Sequence, residues 1–143
     1  MSPSERLTDW KKFRNAIIDF SEMEKFDAVV KYFSQAPLKN IAYDIEDIEN
    51  IPTPWEMIHD GEWCRNSIAI GMEFTLRLVG IEASRLQLKM ILDPTISDMM
   101  LTVVVDEKYI LNYDWGNVFD KKLSKDARII KKIVFKKDKY KVI

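Results

Sequence analysis

Cysteine and histidine are almost missing from this sequence, with Cys64 and His59 the sole members of their types. A lone cysteine cannot close an intrachain disulfide, which makes a reducing cytoplasm the expected setting. One cysteine with one histidine also falls short of a Cys/His zinc site. No apolar run approaches the roughly 18 residues of a membrane-crossing helix, and the opening MSPSERLTDW has no apolar stretch of the signal-peptide kind. Internal repeats and low-complexity segments are absent. Glycine is scarce, and none falls between Asn40 and Pro54, where Asp44, Glu46, Asp47 and Glu49 interleave with Ile45, Ile48 and Ile51. A calcium loop needs a glycine to turn sharply between its oxygen ligands. That stretch therefore reads as a solvated acidic loop, and neither a metal nor a cofactor is expected.

What is present is enough for one domain. Of 143 residues, 47% are apolar and 31% charged, a globular composition long enough to bury a core. The net charge of −1 conceals a polarity. Residues 121–143 hold nine lysines and Arg128 against Asp126 and Asp138, a balance of +8 that leaves −9 for the rest. Such asymmetry implies an anionic partner for the basic end or attraction between two faces of the fold.

Ser2-Pro3-Ser4-Glu5 has the form of a helix start: serine as N-cap, proline at the first helical position, glutamate three residues after the cap. Leu7, Trp10, Phe13, Ile17 and Phe20 then recur at helical spacing. Ser21 and Glu24 repeat the capping pattern ahead of Phe26, Val29, Val30 and Phe33, and Pro37 stops that second helix. A helical turn is expected at Glu56-Met57-Ile58. A long helix is expected from Trp63 or Cys64 to Val79, closed by Gly80, with Cys64, Ile68, Met72, Leu76 and Val79 on one stripe and Ile70, Phe74, Leu78 and Ile81 on another. A helix apolar on two sides belongs in the middle of a fold. Strands follow at Arg85 to Leu92, Met99 to Val105 and Tyr109 to Tyr113, then a loop over Asp114 to Lys125, then a hairpin of Arg128 to Phe135 with Lys139 to Ile143. Helices first and antiparallel strands afterwards make an α+β fold. The chain reads as a single domain, 1–143, comprising a helical hairpin (1–36), a core (54–118) and a basic terminal hairpin (121–143).

Pro54-Trp55-Glu56, Gly61-Glu62-Trp63-Cys64, Ala69, Leu76 to Ile81, Met99 to Val105 and Tyr109-Ile110-Leu111-Asn112 follow one another in an order that resembles the core of the transglutaminase-like, papain-like cysteine fold. In that family a nucleophilic cysteine opens a buried helix, a histidine begins a hydrophobic strand, and an aspartate or asparagine closes the next. The resemblance covers a little under half the chain, leaving out the N-terminal helices and the basic tail. The whole chain is also similar to small proteins of tailed bacteriophages.

The resemblance implies that Cys64 stands at the nucleophile position, where a helix N-terminus favours the thiolate. Asn112 stands at the position that orients the base. The histidine position falls on Met99, or on Met100 with a one-residue slip, and methionine accepts no proton. Asp98 and Asp114 are at best weak bases. Losing general acid–base assistance costs about 10²–10⁴-fold in rate. The reading that follows is a catalytically degenerate domain of phage origin, a pseudoenzyme in the host cytoplasm or virion that binds a protein partner or serves in assembly. The alternative is an active cysteine acyltransferase, amidase or peptidase pairing Cys64 with His59. A second alternative is nucleic-acid binding through Lys131, Lys132, Lys136, Lys137 and Lys139, with Phe135 and Tyr140 interleaved for stacking.

Overall fold

The computed structural model describes residues 1–36, 53–61, 63–95 and 98–143; the acidic stretch from Asp44 to Glu49 lies outside the described residues. Both serine capping boxes form. Ser2 Oγ accepts from Glu5 N at 3.1 Å to open α1 (Pro3–Ile17), and Ser21 Oγ accepts from Glu24 N at 3.3 Å to open α2 (Glu22–Ser34). Since α1 ends at Ile17, Phe20 falls in the turn and is exposed rather than continuing the apolar face. The turn expected near Met57 is a full helix, α3 (Pro54–Asp60), capped by Thr53 and ended by Gly61 at φ +68°, a left-handed conformation natural to glycine.

Helix α4 (Arg65–Leu78) is the buried centre. Ile68 and Leu76 are fully enclosed, and Ile70 and Met72 nearly so. Trp10 of α1 is buried against it, its indole N–H donating to Thr75 Oγ1 at 3.1 Å, so the ring is enclosed without stranding its polar atom. Tyr32 of α2 donates to Asp9 Oδ2 at 2.8 Å while its ring stacks on Phe13 at 4.1 Å, tying α1 to α2.

The strands are β1 (Leu86–Asp93), β2 (Asp98–Val105), β3 (Tyr109–Asp114), β4 (Asn117–Phe119), β5 (Arg128–Lys136) and β6 (Lys139–Val142), all antiparallel in the order β4-β3-β2-β1-β5-β6. The helices-then-sheet order establishes the α+β class. Strand β4 falls inside the stretch expected to be a loop; its three residues pair with β3 but are too short to carry an alternating pattern. Leu88, Leu101, Val103 and Leu111 face the helices, while Ile91, Val104 and Ile110 form a smaller cluster on the opposite face under Leu123 and Ala127. The terminal hairpin closes the far side of β1, with Ile133 opposite Leu88.

Two features of α4 carry measurable consequences. At Gly71 an added Cβ would sit 2.8 Å from both Phe33 Cε1 and Trp63 Cζ3, atoms of two buried rings. Overpacking costs about 1–3 kcal/mol, which exceeds the ~1 kcal/mol of helix propensity that alanine adds. Gly71→Ala should therefore lower the urea midpoint; an unchanged or raised midpoint would show that the rings yield freely.

The second feature is Glu73, buried at 2% exposure, which is paired with Arg77 and accepts from Tyr140 Oη at 3.0 Å. Burial pushes its carboxyl above its ordinary 4.5 against the pull of both partners. Between that value and the folded pKa the native state holds a proton that the unfolded chain releases, so this group's contribution to stability falls as pH rises through the window. Denaturant titrations from pH 4.5 upward should show a steeper loss for the native protein than for Glu73→Gln. Parallel curves would place the charge elsewhere.

Candidate active site at the start of helix α4

Cys64 is the N-cap of α4, and it is 5% exposed. Its Sγ accepts from Ser67 N at 3.4 Å, while its own N–H donates to Ser67 Oγ at 2.8 Å. This is the capping box of the other helices with a thiol in place of the hydroxyl. The thiol thus sits at the positive end of the central helix dipole, among first-turn amides that have no partner within the helix.

Asn112 meets the same turn from the sheet. By strand alternation it would face away from α4 with Ile110, but its φ of +66° turns it aside from the regular pleat. Its Nδ2 then donates to Arg65 O at 2.8 Å and to Leu101 O at 2.9 Å. Asn66 Oδ1 accepts from Leu101 N at 3.3 Å. Both backbone polar groups of Leu101 are therefore met by amide side chains, at the level where the pairing of β2 with β3 has ended at Val103–Leu111. The two asparagines stand in for a missing rung of the sheet and seat the cysteine turn between two strands. Asn112 is 2% exposed, and its Oδ1 has no hydrogen-bond partner among the described residues.

Of the two candidate histidine positions, Met99 shares the face of Leu101 by alternation and is 55% exposed. Met100 is buried on the other face, with its sulfur 3.7 Å from Arg65 Nη2. The Arg65 guanidinium lies 4.7 Å from the ring centroid of Trp115, in the turn between β3 and β4. His59 lies near the end of α3, exposed, with Nδ1 3.0 Å from Asp60 Oδ1. Its carbonyl is gripped by the Arg6 guanidinium, whose Nε also donates to Ile58 O at 3.0 Å. Cys64 and Asn112 are thus joined through Arg65, whereas His59 pairs with its chain neighbour Asp60.

Arg65, Asn66 and Trp115 are members of this site that sequence reasoning missed. The available signal was two consecutive polar residues directly after Cys64 on an otherwise apolar helix. The lysines at 131, 132, 136, 137 and 139 belong to β5, β6 and their turn, at the opposite edge of the sheet from β3 and β4. The rings interleaved with them are engaged inside the fold: Arg77 lies 3.6 Å from the Phe135 centroid and donates to Tyr140 Oη at 3.2 Å.

No protein-family model matches the chain, and no curated protein matches it. Among solved structures it is similar to LapG of Legionella pneumophila. The calcium-bound form superposes with a TM-score of 0.79 at 17% identity, covering 98% of this chain and 79% of that one. The EGTA-treated form gives 0.77 at 18% identity, over 91% and 73%. Identity this low establishes the fold: an α+β arrangement of helices on an antiparallel sheet, matching the transglutaminase-like fold of LapG. With 98% of the chain covered, the N-terminal helices and the basic tail belong to the shared fold instead of lying outside it.

Several expectations are corrected by this match. LapG is an active, calcium-dependent cysteine protease of the periplasm, which overturns the reading of a phage-derived, catalytically degenerate pseudoenzyme acting as a binding or assembly module. That reading inferred inactivity from the methionines at 99 and 100, yet a general base is defined by spatial reach and not by its place on one strand. The cytoplasmic or virion location is corrected as well. A single cysteine forms no intrachain disulfide in any compartment, so the count had no power to choose one. Among the described residues no three acidic, cysteine or histidine side chains cluster to hold a metal. The described residues therefore do not fit the calcium of LapG.

The Asn112 tie has a direct test. Asn112→Ala and Asn112→Gly both delete the two amide bonds, leaving the carbonyls of Arg65 and Leu101 without them at about 1–3 kcal/mol. Alanine must also hold a left-handed backbone, at roughly 1–2 kcal/mol more. The glycine variant should therefore be the more stable of the two by urea denaturation. The reverse order would mean that the positive φ is not retained.

Proposed function

We propose that this chain is a cysteine peptidase in which Cys64 is the nucleophile and a protein or peptide is the substrate, with residues 1–143 acting as one domain. The observation that carries the reading is the placement of the thiol. Cys64 caps the buried central helix of a fold shared with a cysteine protease, at a turn that Asn66 and Asn112 tie to Leu101 of β2. A protein partner is the class this supports.

The chemistry follows from that placement. The thiolate attacks the scissile carbonyl, and the oxygen that becomes negative lies at the positive end of α4, where first-turn amides stabilise it. His59, paired with Asp60, takes the thiol proton and returns it to the departing amine as the C–N bond breaks. Water then attacks the thioester, passing one proton to the imidazole; the acid product leaves and the thiol is restored. Arg6 holds the carbonyls of Ile58 and His59 and so anchors the helix end that presents the imidazole.

Cys64→Ser separates chemistry from folding, because serine is a better N-cap than cysteine and should leave the protein folded. Incubation with unfolded protein substrates should yield new peptide termini with the native chain and none with Cys64→Ser. His59→Gln should lower the rate by about 10²–10⁴-fold. Cleavage that persists in Cys64→Ser, or a native chain that cleaves nothing and forms no acyl-enzyme by intact mass, would defeat the assignment.

A further inference from the structure

Arg65 directly follows the nucleophile, yet none of the steps above uses its side chain. Arg14 stacks on the Trp10 and Trp55 rings with its Nε buried, and three other arginines are engaged by oxygen acceptors. Arg85 bridges Glu22 and Asp106, Arg77 is paired with Glu73, and Arg6 donates to the carbonyls of Met1, Ile58 and His59. Arg65 differs. It is exposed, and among the described residues no carboxylate pairs with it. Its side chain rests on the Trp115 ring at 4.7 Å and on the thioether of Met100 at 3.7 Å, a weak acceptor. Stacking on an aromatic face restrains the guanidinium while leaving its in-plane donors open. Its backbone is fixed too, since Asn112 Nδ2 holds the Arg65 carbonyl at 2.8 Å. The result is a guanidinium restrained by uncharged partners one residue from the thiol, with only one donor engaged, on a weak sulfur acceptor.

We propose that Arg65 is a specificity-determining residue that binds a carboxylate of the substrate beside the scissile bond. A guanidinium fork matches a carboxylate with two parallel N–H···O bonds. Trp115 and Met100 offer no charge of their own to compete with that anion. The carboxylate has two chemical sources, an aspartate or glutamate side chain or the free C-terminus of a peptide. The inference rests on the peptidase reading for its role in catalysis, but the binding it describes is measurable without turnover.

The test is protection of Cys64 from iodoacetamide by four short peptides. One carries a glutamate with an amidated C-terminus; one has glutamine there, also amidated; one has glutamine with a free C-terminus; one has neither glutamate nor glutamine and is amidated. An acid should slow alkylation in the native protein where its amide counterpart does not, and which acid does so identifies the source. In Arg65→Met the concentration needed for protection should rise about tenfold or more, and Arg65→Glu should reverse the preference toward a lysine peptide. For any peptide that is cleaved, Arg65→Met should raise KM more than it lowers kcat. Equal protection by acid and amide in the native protein, or none by any peptide, would overturn the proposal without recourse to a variant. Acid-selective protection in a protein that cleaves nothing would leave this inference standing and remove the peptidase reading instead.

Discussion

The burial of helix α4 against the sheet is the constraint on which the rest of this molecule depends. Ile68, Met72 and Leu76 make one apolar stripe against the sheet, and Ile70 and the bare backbone at Gly71 add further apolar surface that α1, α2 and Trp63 must cover. Exposing such a helix on any side would cost about 1.5–3 kcal/mol for each large apolar side chain returned to water. The amphipathic hairpin of α1 and α2, far from being an appendage, supplies part of that cover. The terminal hairpin adds a second kind of closure through the Glu73–Arg77–Tyr140 cluster, where a buried carboxyl is tolerated because its partners are bonded to it.

A buried helix has one exit for chemistry, its N-terminus, and here that end is neither capped by a hydroxyl nor closed by sheet. Cys64 takes the capping role with a sulfur, a weaker acceptor than oxygen. Strands β2 and β3 no longer pair beyond Val103 and Leu111, and Asn66 and Asn112 complete the bonds of Leu101 in their place. The gap between the strands is held by side chains of defined geometry. The thiol that caps this turn is buried, and the backbone beside it is fixed through the Arg65 carbonyl.

The likeness to LapG and the two methionines pull in different directions, and the physical weight falls on what each can establish. A TM-score of 0.79 over 98% of the chain establishes the shared fold and nothing finer. The identity of Met99 and Met100 establishes only that β2 does not supply an imidazole. His59 lies on another element, exposed beside Asp60, on a helix end fastened to α1 by Arg6. The Arg65–Trp115 stack adds a cation whose function the thiol alone would not suggest.

Local chemistry was legible in the sequence wherever a residue acts on its near neighbours. The serine caps, the central helix with Cys64 at its start and five of the six strands follow from spacing and propensity, because those signals lie within a few residues of the element they define. Strand β4, three residues long, carried too little pattern to be read. Order along the chain singled out Cys64 and Asn112, which the fold brings to one turn, while Arg65, Asn66 and Trp115 went unread, since their contacts span 35 residues or more. Only the tertiary structure brought an amide at 112 onto the carbonyl at 65, and it did so through a left-handed residue that strand alternation would have turned the other way. Sequence alone determined that a thiol opens a buried helix; the packing of strands around that helix decided which side chains surround it, because hydrogen bonds between distant segments leave no periodic trace along the chain.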